Sequence, residues 1–153
     1  MIFILKYWIK LSFVEYKDSL LYLFGICSLE QTSILTANNF MPSISVLMAV
    51  KNGFPYLEES IGSILNQTHA DFQLVIVDDS STDGTVKYIE GLNDDRILLV
   101  SAKGAGLVDA LNTGLEYCAA PLVARMDADD VCMENRLALQ YGAMSANSDI
   151  GVL

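Results

Sequence analysis

The sequence has few of the residues from which metal clusters and disulfide frameworks are built. It contains three cysteines and one histidine in 153 residues. Cys27, Cys118 and Cys132 fit neither a disulfide framework nor a zinc spacing, so reduced thiols in a cytosolic setting are the simpler interpretation. His69 lies in a polar turn with no partner cluster nearby in the sequence, which argues against a catalytic role.

Positive charge is also scarce. Nine lysines and arginines stand against 19 acidic residues, and the formal net charge is -10. Charges balance within residues 1–40, so the acidic excess belongs to residues 41–153, where no basic stripe occurs. Such a domain repels nucleic-acid backbones, and we expect no nucleic-acid partner. A metal ion can still allow an acidic domain to bind a phosphorylated small molecule.

Long apolar runs are missing from the start of the chain. Within residues 1–40 the longest uncharged run, Ser19 to Leu29, has eleven residues, whereas a membrane-spanning helix needs about twenty. We predict that residues 1–40 form a hydrophobic leader outside the core fold. It is either an amphipathic helix on a membrane or on the domain, or a segment that adds nothing to the fold. Residues 1–29 offer a route to membrane association.

From Pro42 onward, apolar strands alternate with amphipathic helices. Strands are predicted at 44–50, 72–77, 97–100 and 122–126, and another begins at 149–153. Helices are predicted from Pro55 to Leu65, around 86–92, and at 107–115 and 134–144. Near-continuous apolar strands that alternate with helices indicate an α/β fold with a mostly parallel, doubly wound sheet covered on both faces.

Polar clusters follow each of the four main strands. They are Lys51 and Asn52, then Asp78 and Asp79, then Lys103 to Gly106, and finally Asp127 to Asp130. In open sheets of this type, ligands bind outside the carboxyl ends of the strands. The four loops are therefore expected to meet at one edge and form a binding site.

The last cluster has a spacing suited to a divalent cation. Asp127 and Asp129 would point the same way if strand geometry persists to the end of the strand, because alternate strand residues share a face. Mg²⁺ prefers oxygen ligands and is usually held by one or two carboxylates together with substrate phosphates. A solvated acidic loop is the alternative.

Five stretches together carry a family resemblance: residues 45–53, 63–68, 75–83, 106–115 and 124–130. By their order and spacing, the span from Pro42 to Leu153 resembles the family 2 glycosyltransferases. These are inverting enzymes of the GT-A fold, which is Rossmann-like, and they use nucleotide-diphospho-sugars.

The resemblance implies a nucleotide site made by Ala49, Val50, Lys51, Asn52, Asp78, Asp79, Gly106, Asn112 and Asp127. In it, Asp79 would contact base or ribose with Asp78 as support. Asp127 and Asp129 would hold Mg²⁺ or Mn²⁺ and the diphosphate. Asp130 is a weaker ligand candidate that could instead cap the next helix. Arg125 could contact the ligand or pair with a nearby carboxylate, while Gly106 and Asn112 could shape the third loop or touch the substrate.

The implied function is transfer of a sugar from a nucleotide-diphospho-sugar to a saccharide or lipid-linked saccharide acceptor, in the cytoplasm or at the inner face of the membrane. The metal would stabilise negative charge on the departing diphosphate. The family's general base is a carboxylate well downstream, expected here beyond Leu153, so the chain would be the donor-binding half of a C-terminally truncated domain. The alternative is a non-catalytic remnant that at most binds nucleotide diphosphate. A phospho-receiver-like signalling domain fits less well, because its acidic pair would follow the first strand.

Overall fold

The computed structural model describes residues 4–6 and residues 41–153. The strands are β1 (Ile4–Lys6), β2 (Ile44–Val50), β3 (Phe72–Asp78), β4 (Ile97–Ser101) and β5 (Leu122–Asp127). The helices are α1 (Leu57–Leu65), α2 (Thr85–Glu90), α3 (Leu107–Leu115) and α4 (Arg136–Ala146). Among the described residues, no helix is both long enough and apolar enough to cross a bilayer.

The strands form one sheet in the order β1-β5-β2-β3-β4. β5, β2, β3 and β4 run parallel, which confirms the α/β fold with a mostly parallel sheet. β1 is antiparallel to β5, with Ile4 opposite Ala124. Ile4–Lys6 is thus an exception to the expectation that the leader lies outside the fold, because its backbone pairs with an edge strand. The remaining leader predictions lie outside the described residues.

The order in which strands are added to the sheet changes sides at β2. From β2 the chain moves outward through β3 to β4, and α3 then carries it back to β5 on the other side of β2. The carboxyl ends are level, since Val50 pairs with Asp78 and Ala49 pairs with Asp127. A crevice between diverging connections forms at such a reversal and is the usual ligand site of a doubly wound sheet.

Helices cover both faces of the parallel strands. One face packs Met48, Ile76 and Met126 together with residues of α1, α2 and α4, including Ile61, Ile89 and Leu137. The other face packs Leu47, Val75 and Val77 against Ala110 of α3 and against Cys118. Burial on both faces explains why the strands are nearly continuous in apolar residues. The doubly wound arrangement is therefore confirmed.

Some element boundaries differ from the prediction. Pro55 precedes α1 and does not open it, because the Gly53 carbonyl accepts the N–H groups of both Tyr56 (3.2 Å) and Leu57 (3.0 Å) and turns the chain first. The helix predicted at 134–144 begins at Arg136. The strand expected at 149–153 is limited to a single bridge residue, Val152.

Gly114 allows α3 to lie close to the sheet. A Cβ atom at this position would collide with Leu47 Cδ1 and would lie 2.7 Å from Val77 Cγ2. Both neighbours are buried in the core, where a side chain that shifts must displace others because the interior is close-packed. The missing side chain therefore sets the distance between α3 and the strands that end at the site.

We expect Gly114→Ala to destabilise the protein by about 1–3 kcal/mol, since overpacking a well-packed core costs that much. Gly142→Ala is the matched control, because Gly142 lies within α4 and a Cβ atom added there would have no neighbour within 4 Å. It should stabilise the protein by about 0.5–1 kcal/mol through helix propensity. Urea unfolding followed by circular dichroism measures both changes. Equal effects of the two substitutions would contradict the close-approach account.

Candidate functional site

The buried carboxylate of Asp79 joins three loops at the carboxyl edge of the sheet. Asp79 is 6% exposed, and its Oδ2 accepts hydrogen bonds from Lys51 Nζ at 3.3 Å and from the Gly106 N–H at 3.0 Å. Lys51 follows β2, Asp79 follows β3 and Gly106 precedes α3. The predicted meeting of these loops is therefore present, and Asp79 Oδ1 accepts no hydrogen bond from the described residues, so it can serve a ligand.

Asp78 holds the turn that follows β3. Its two carboxylate oxygens accept the Ser81 N–H at 3.3 and 3.2 Å, and its carbonyl accepts the Ala102 N–H at 2.9 Å. Ser80 between them adopts a left-handed backbone conformation, with φ of 61°. These contacts fit a supporting role for Asp78, which keeps the neighbouring Asp79 in place.

Hydrogen bonds also connect the loop after β2 to the loop after β3. Asn52 Oδ1 accepts the Thr82 N–H at 2.8 Å, and the Asn52 N–H donates to Ser81 Oγ at 2.8 Å. The Gly53 N–H donates to Thr85 Oγ1 at 2.9 Å. Because the side-chain oxygen of Asn52 is bonded within the protein, the part of this side chain left to contact a ligand is its Nδ2 amino group.

Asp83 adds a charged contact between the same two loops. Its carboxylate accepts the Thr85 hydroxyl at 2.7 Å, the Thr85 N–H at 3.1 Å and the Phe54 N–H at 3.1 Å. The hydrogen bond from the Thr85 hydroxyl is the main reason that the pKa of Asp83 is lowered. Desolvation is the next largest effect and raises the pKa, while the N–H groups of Phe54 and Thr85 lower it further.

A lowered pKa means that the contribution of Asp83 to stability is fully present above the unfolded-state value of 3.8 and is lost as the pH falls through the folded value. In an NMR titration, we expect the Asp83 carboxyl resonance to have its midpoint below pH 3.8. The Phe54 and Thr85 amide resonances should shift with the same midpoint. An Asp83 midpoint at or above the ordinary value of 3.8 would contradict this contact.

β5 ends at Asp127, and this corrects the basis on which the acidic pair was predicted. Ala128 and Asp129 form a turn closed by a 3.2 Å hydrogen bond from the Asp130 N–H to the Asp127 carbonyl. Strand alternation therefore does not extend to Asp129 and does not decide where its side chain points. Asp127 is partly exposed, and Asp129 and Asp130 lie in the turn that follows it.

Asp127 is held through both its side chain and its backbone. Arg125 Nη2 donates to Asp127 Oδ1 at 2.7 Å, which is the ion-pair alternative considered for Arg125. The Asp127 carbonyl accepts Ser60 Oγ at 3.3 Å in addition to the Asp130 N–H. The strand end is therefore anchored to α1.

The donor set at this strand end fits a divalent cation only in combination with a ligand. Within residues 4–6 and 41–153, no group of three or more histidine, cysteine, aspartate or glutamate side chains is arranged to enclose a metal. Asp127 and Asp129 supply hard oxygen donors. Mg²⁺ commonly takes one or two carboxylates and completes its coordination with substrate phosphates and water. The residues present are compatible with that arrangement.

Two polar residues, Ser63 within α1 and Gln67 just after it, position the segment after the acidic turn. Gln67 is 6% exposed, donates to the Met133 carbonyl at 2.7 Å and accepts the Leu137 N–H at 3.0 Å. Ser63 Oγ accepts the Cys132 N–H at 3.1 Å. Sequence reasoning gave neither residue a role, although two polar side chains four residues apart beside an apolar helix face are a signal of buried hydrogen bonding.

Arg136 is a second residue that sequence reasoning missed. Its Nη2 donates to the Arg125 carbonyl at 2.9 Å, and its Nη1 donates to Met126 Sδ at 3.1 Å. Burial lowers the pKa of Arg136 from its ordinary value. Arg136, the first residue of α4, thus fixes the end of β5 by binding Arg125 and Met126.

Other predicted residues have less direct positions. The Val50 side chain is in the core, so its contribution is its carbonyl, which accepts the Asp79 N–H at 2.8 Å. Ala49 is partly buried and level with Asp127. Asn112 is exposed on α3 and has no hydrogen bond to the other candidates among the described residues. His69 bonds to Ser43 Oγ at 2.7 Å at the opposite edge, which agrees with a non-catalytic histidine.

The doubly wound sheet with a polar, acidic carboxyl edge belongs to the class of α/β domains that bind ligands outside the carboxyl ends of their strands. Residues 45–153 match the family model described as "Glycosyl transferase family 2". The chain therefore belongs to glycosyl transferase family 2, which confirms the resemblance drawn from the sequence.

Curated relatives and solved structures agree with this assignment. The chain is 34% identical over 106 residues to the Escherichia coli UDP-Glc:alpha-D-GlcNAc-diphosphoundecaprenol beta-1,3-glucosyltransferase WfgD, covering 69% of this chain and 42% of that protein. It is 39% identical over 108 residues to the E. coli O-antigen biosynthesis glycosyltransferase WbnJ, covering 68% and 42%. The chain thus spans less than half the length of these relatives.

Two solved structures share the fold. S. aureus TarS in complex with UDP-GlcNAc has a TM-score of 0.65 and 23% identity, covering 69% of this chain and 32% of that one. The mannosyltransferase PcManGT from Pyrobaculum calidifontis, in complex with GDP-Man and Mn²⁺, has a TM-score of 0.54 and 30% identity, covering 65% and 31%.

Proposed function

We propose that this chain forms the donor-binding part of a glycosyltransferase that transfers a sugar from a nucleotide-diphospho-sugar to a saccharide-type acceptor with the help of a divalent cation. The observation that carries the proposal is the position of two acidic groups on either side of β2. Asp79 follows β3, and Asp127 ends β5, level with Ala49 in β2. Two strand spacings separate them by about 10 Å, a span suited to a nucleoside diphosphate.

Each group has a distinct task in this proposal. Asp79 Oδ1 accepts a hydrogen bond from the base or ribose, while its Oδ2 stays bound to the Gly106 N–H. Lys51 has a side chain that is 57% exposed, which leaves its ammonium group within reach of an anionic ligand. Asp127 and Asp129 hold the cation, whose chemistry when bound is to stabilise the negative charge that develops on the departing diphosphate.

The relatives support the choice of donor and acceptor class. The TarS and PcManGT structures contain UDP-GlcNAc and GDP-Man respectively, and PcManGT also contains Mn²⁺. The name of WfgD gives a diphosphoundecaprenol-linked saccharide as its acceptor. We propose a donor of the same chemical class and a saccharide or lipid-linked saccharide acceptor here. Transfer also needs a general base to take the proton of the acceptor hydroxyl, and we propose that this base is a carboxylate.

We further propose that the enzyme acts in the cytoplasm, at the inner face of the membrane when residues 1–29 associate with it. Cys118 and Cys132 pack with core residues of opposite sheet faces, so they do not form a disulfide with each other. The support for this compartment comes from the sequence, since three cysteines at spacings that fit no disulfide framework are typical of a reducing compartment.

The first test concerns the cation. We expect UDP or GDP to bind more tightly in Mn²⁺ than in chelator, and Asp129→Ala to reduce binding in Mn²⁺ to the level seen in chelator, because one of two carboxylate ligands is lost. Isothermal titration calorimetry measures each affinity. Asp95→Ala, which removes an exposed carboxylate in the turn before β4, is the control and should behave as wild type. Equal wild-type affinity in chelator and in Mn²⁺ would contradict metal-assisted binding.

The second test concerns the nucleoside. Asp79→Asn keeps the side-chain shape and an acceptor for the Gly106 N–H but removes the charge and one acceptor oxygen. We expect it to weaken UDP or GDP by about 10- to 100-fold, the value of a hydrogen bond to a charged group. Asp79→Asn should also weaken binding of the nucleoside monophosphate, because Asp79 is proposed to contact the base or ribose. Asp129→Ala should leave binding of the monophosphate unchanged, because Asp129 is proposed to act through the cation on the diphosphate. Unchanged affinity for both ligands would remove Asp79 from the site.

A further inference from the structure

We infer that Arg125 is a built-in counter-ion of Asp127 that makes divalent-cation binding depend on the nucleotide diphosphate. This inference rests on the proposed function. The two residues are two apart in β5, so their side chains share one face of the sheet. Arg125 Nη2 lies 2.7 Å from Asp127 Oδ1, and the side chains are 34% and 46% exposed. A ligand arriving at the edge can therefore reach this ion pair.

The ion pair is fixed by the backbone around it. Arg136 Nη2 donates to the Arg125 carbonyl at 2.9 Å. Ser60 Oγ and the Asp130 N–H both donate to the Asp127 carbonyl. With both carbonyls held, the strand end cannot easily turn Asp127 away from Arg125. A cation that binds Asp127 must share its carboxylate with the guanidinium.

The two proposed metal ligands are thus unequal before a ligand arrives. Asp129 lies in the turn and has no ion pair among residues 41–153, whereas Asp127 is already neutralised by Arg125. A divalent ion brought between them meets a unit positive charge at short range, and like charges at about 5 Å repel each other even in water. The cation alone should therefore bind weakly.

A diphosphate removes this conflict. It adds negative charge for both the cation and the guanidinium, and arginine binds phosphate oxygens well through its planar set of donors. Arg125 Nε is buried and has no hydrogen-bond partner in the described part of the chain. The observed arrangement therefore leaves a buried donor of Arg125 unused, and the diphosphate would supply acceptors for which Arg125 can exchange its present partner.

The test compares Mn²⁺ binding, without nucleotide, between the wild-type chain and Arg125→Gln by electron paramagnetic resonance of free Mn²⁺. We expect Arg125→Gln to bind Mn²⁺ alone about tenfold more tightly, on the order expected when a unit charge near a divalent ion is removed. Adding UDP or GDP should then improve Mn²⁺ affinity less in the variant than in wild type. Arg125→Lys, which keeps the charge, should remain close to wild type.

Lys87→Gln is the control, because it removes the same charge from an exposed side chain on α2. It should leave Mn²⁺ affinity unchanged, whereas an equal gain in both glutamine variants would show only a general charge effect and overturn the inference. Unchanged, weaker or undetectable Mn²⁺ binding in Arg125→Gln would also overturn it. Failure of the proposed function is seen separately, as absence of nucleotide binding by the wild type in Mn²⁺.

Discussion

The level carboxyl ends of β3, β2 and β5 are the constraint on which the site depends. Val50 pairs with Asp78 and Ala49 pairs with Asp127, so the acidic residues that end β3 and β5 lie within one residue of each other in height, on either side of β2. Parallel pairing fixes this register over the whole length of β2, and a slip of one residue would turn every core side chain to the wrong face. The hydrophobic core and the geometry of the polar edge are therefore set by the same backbone hydrogen bonds.

Helix α1 and the turn after it hold the acidic turn and the segment that follows in place through side-chain hydrogen bonds. Ser60, Ser63 and Gln67 follow one another along this segment and bind, in sequence, the Asp127 carbonyl, the Cys132 N–H and the backbone of Met133 and Leu137. Buried polar side chains are tolerated when their hydrogen-bonding groups are satisfied. The hydrogen bonds of these three residues place an irregular segment whose larger apolar side chains, Val131 and Met133, are exposed and add little packing.

The fold could be predicted from the sequence because its signals are local and repeated. Apolar runs located all four parallel strands to within a residue or two, since each strand is buried on both faces and has no long polar interruption. The edge of the sheet was predictable from the same pattern. The course of the chain after Asp127 was not, because a turn replaces the strand there. The role of Arg136 was not predictable either. Its partners are the Arg125 carbonyl and the Met126 sulfur, and no sequence pattern indicates which carbonyl or thioether an arginine will contact.

Two ion pairs lie at the carboxyl edge of the sheet. In one, an exposed Lys51 contacts a buried Asp79, whereas in the other Arg125 and Asp127 are both partly exposed. Neither pair gains much stability, because exposed members remain solvated and screened. Their value is better understood as pre-organisation, since each pair keeps an acidic side chain oriented toward the edge while its repulsion from neighbouring carboxylates is reduced. Under the proposed function, a domain with a net charge of -10 would receive the nucleotide diphosphate by exchanging ion pairs that already exist. The cost of ordering the site is met largely by folding, so binding has less conformational entropy to lose.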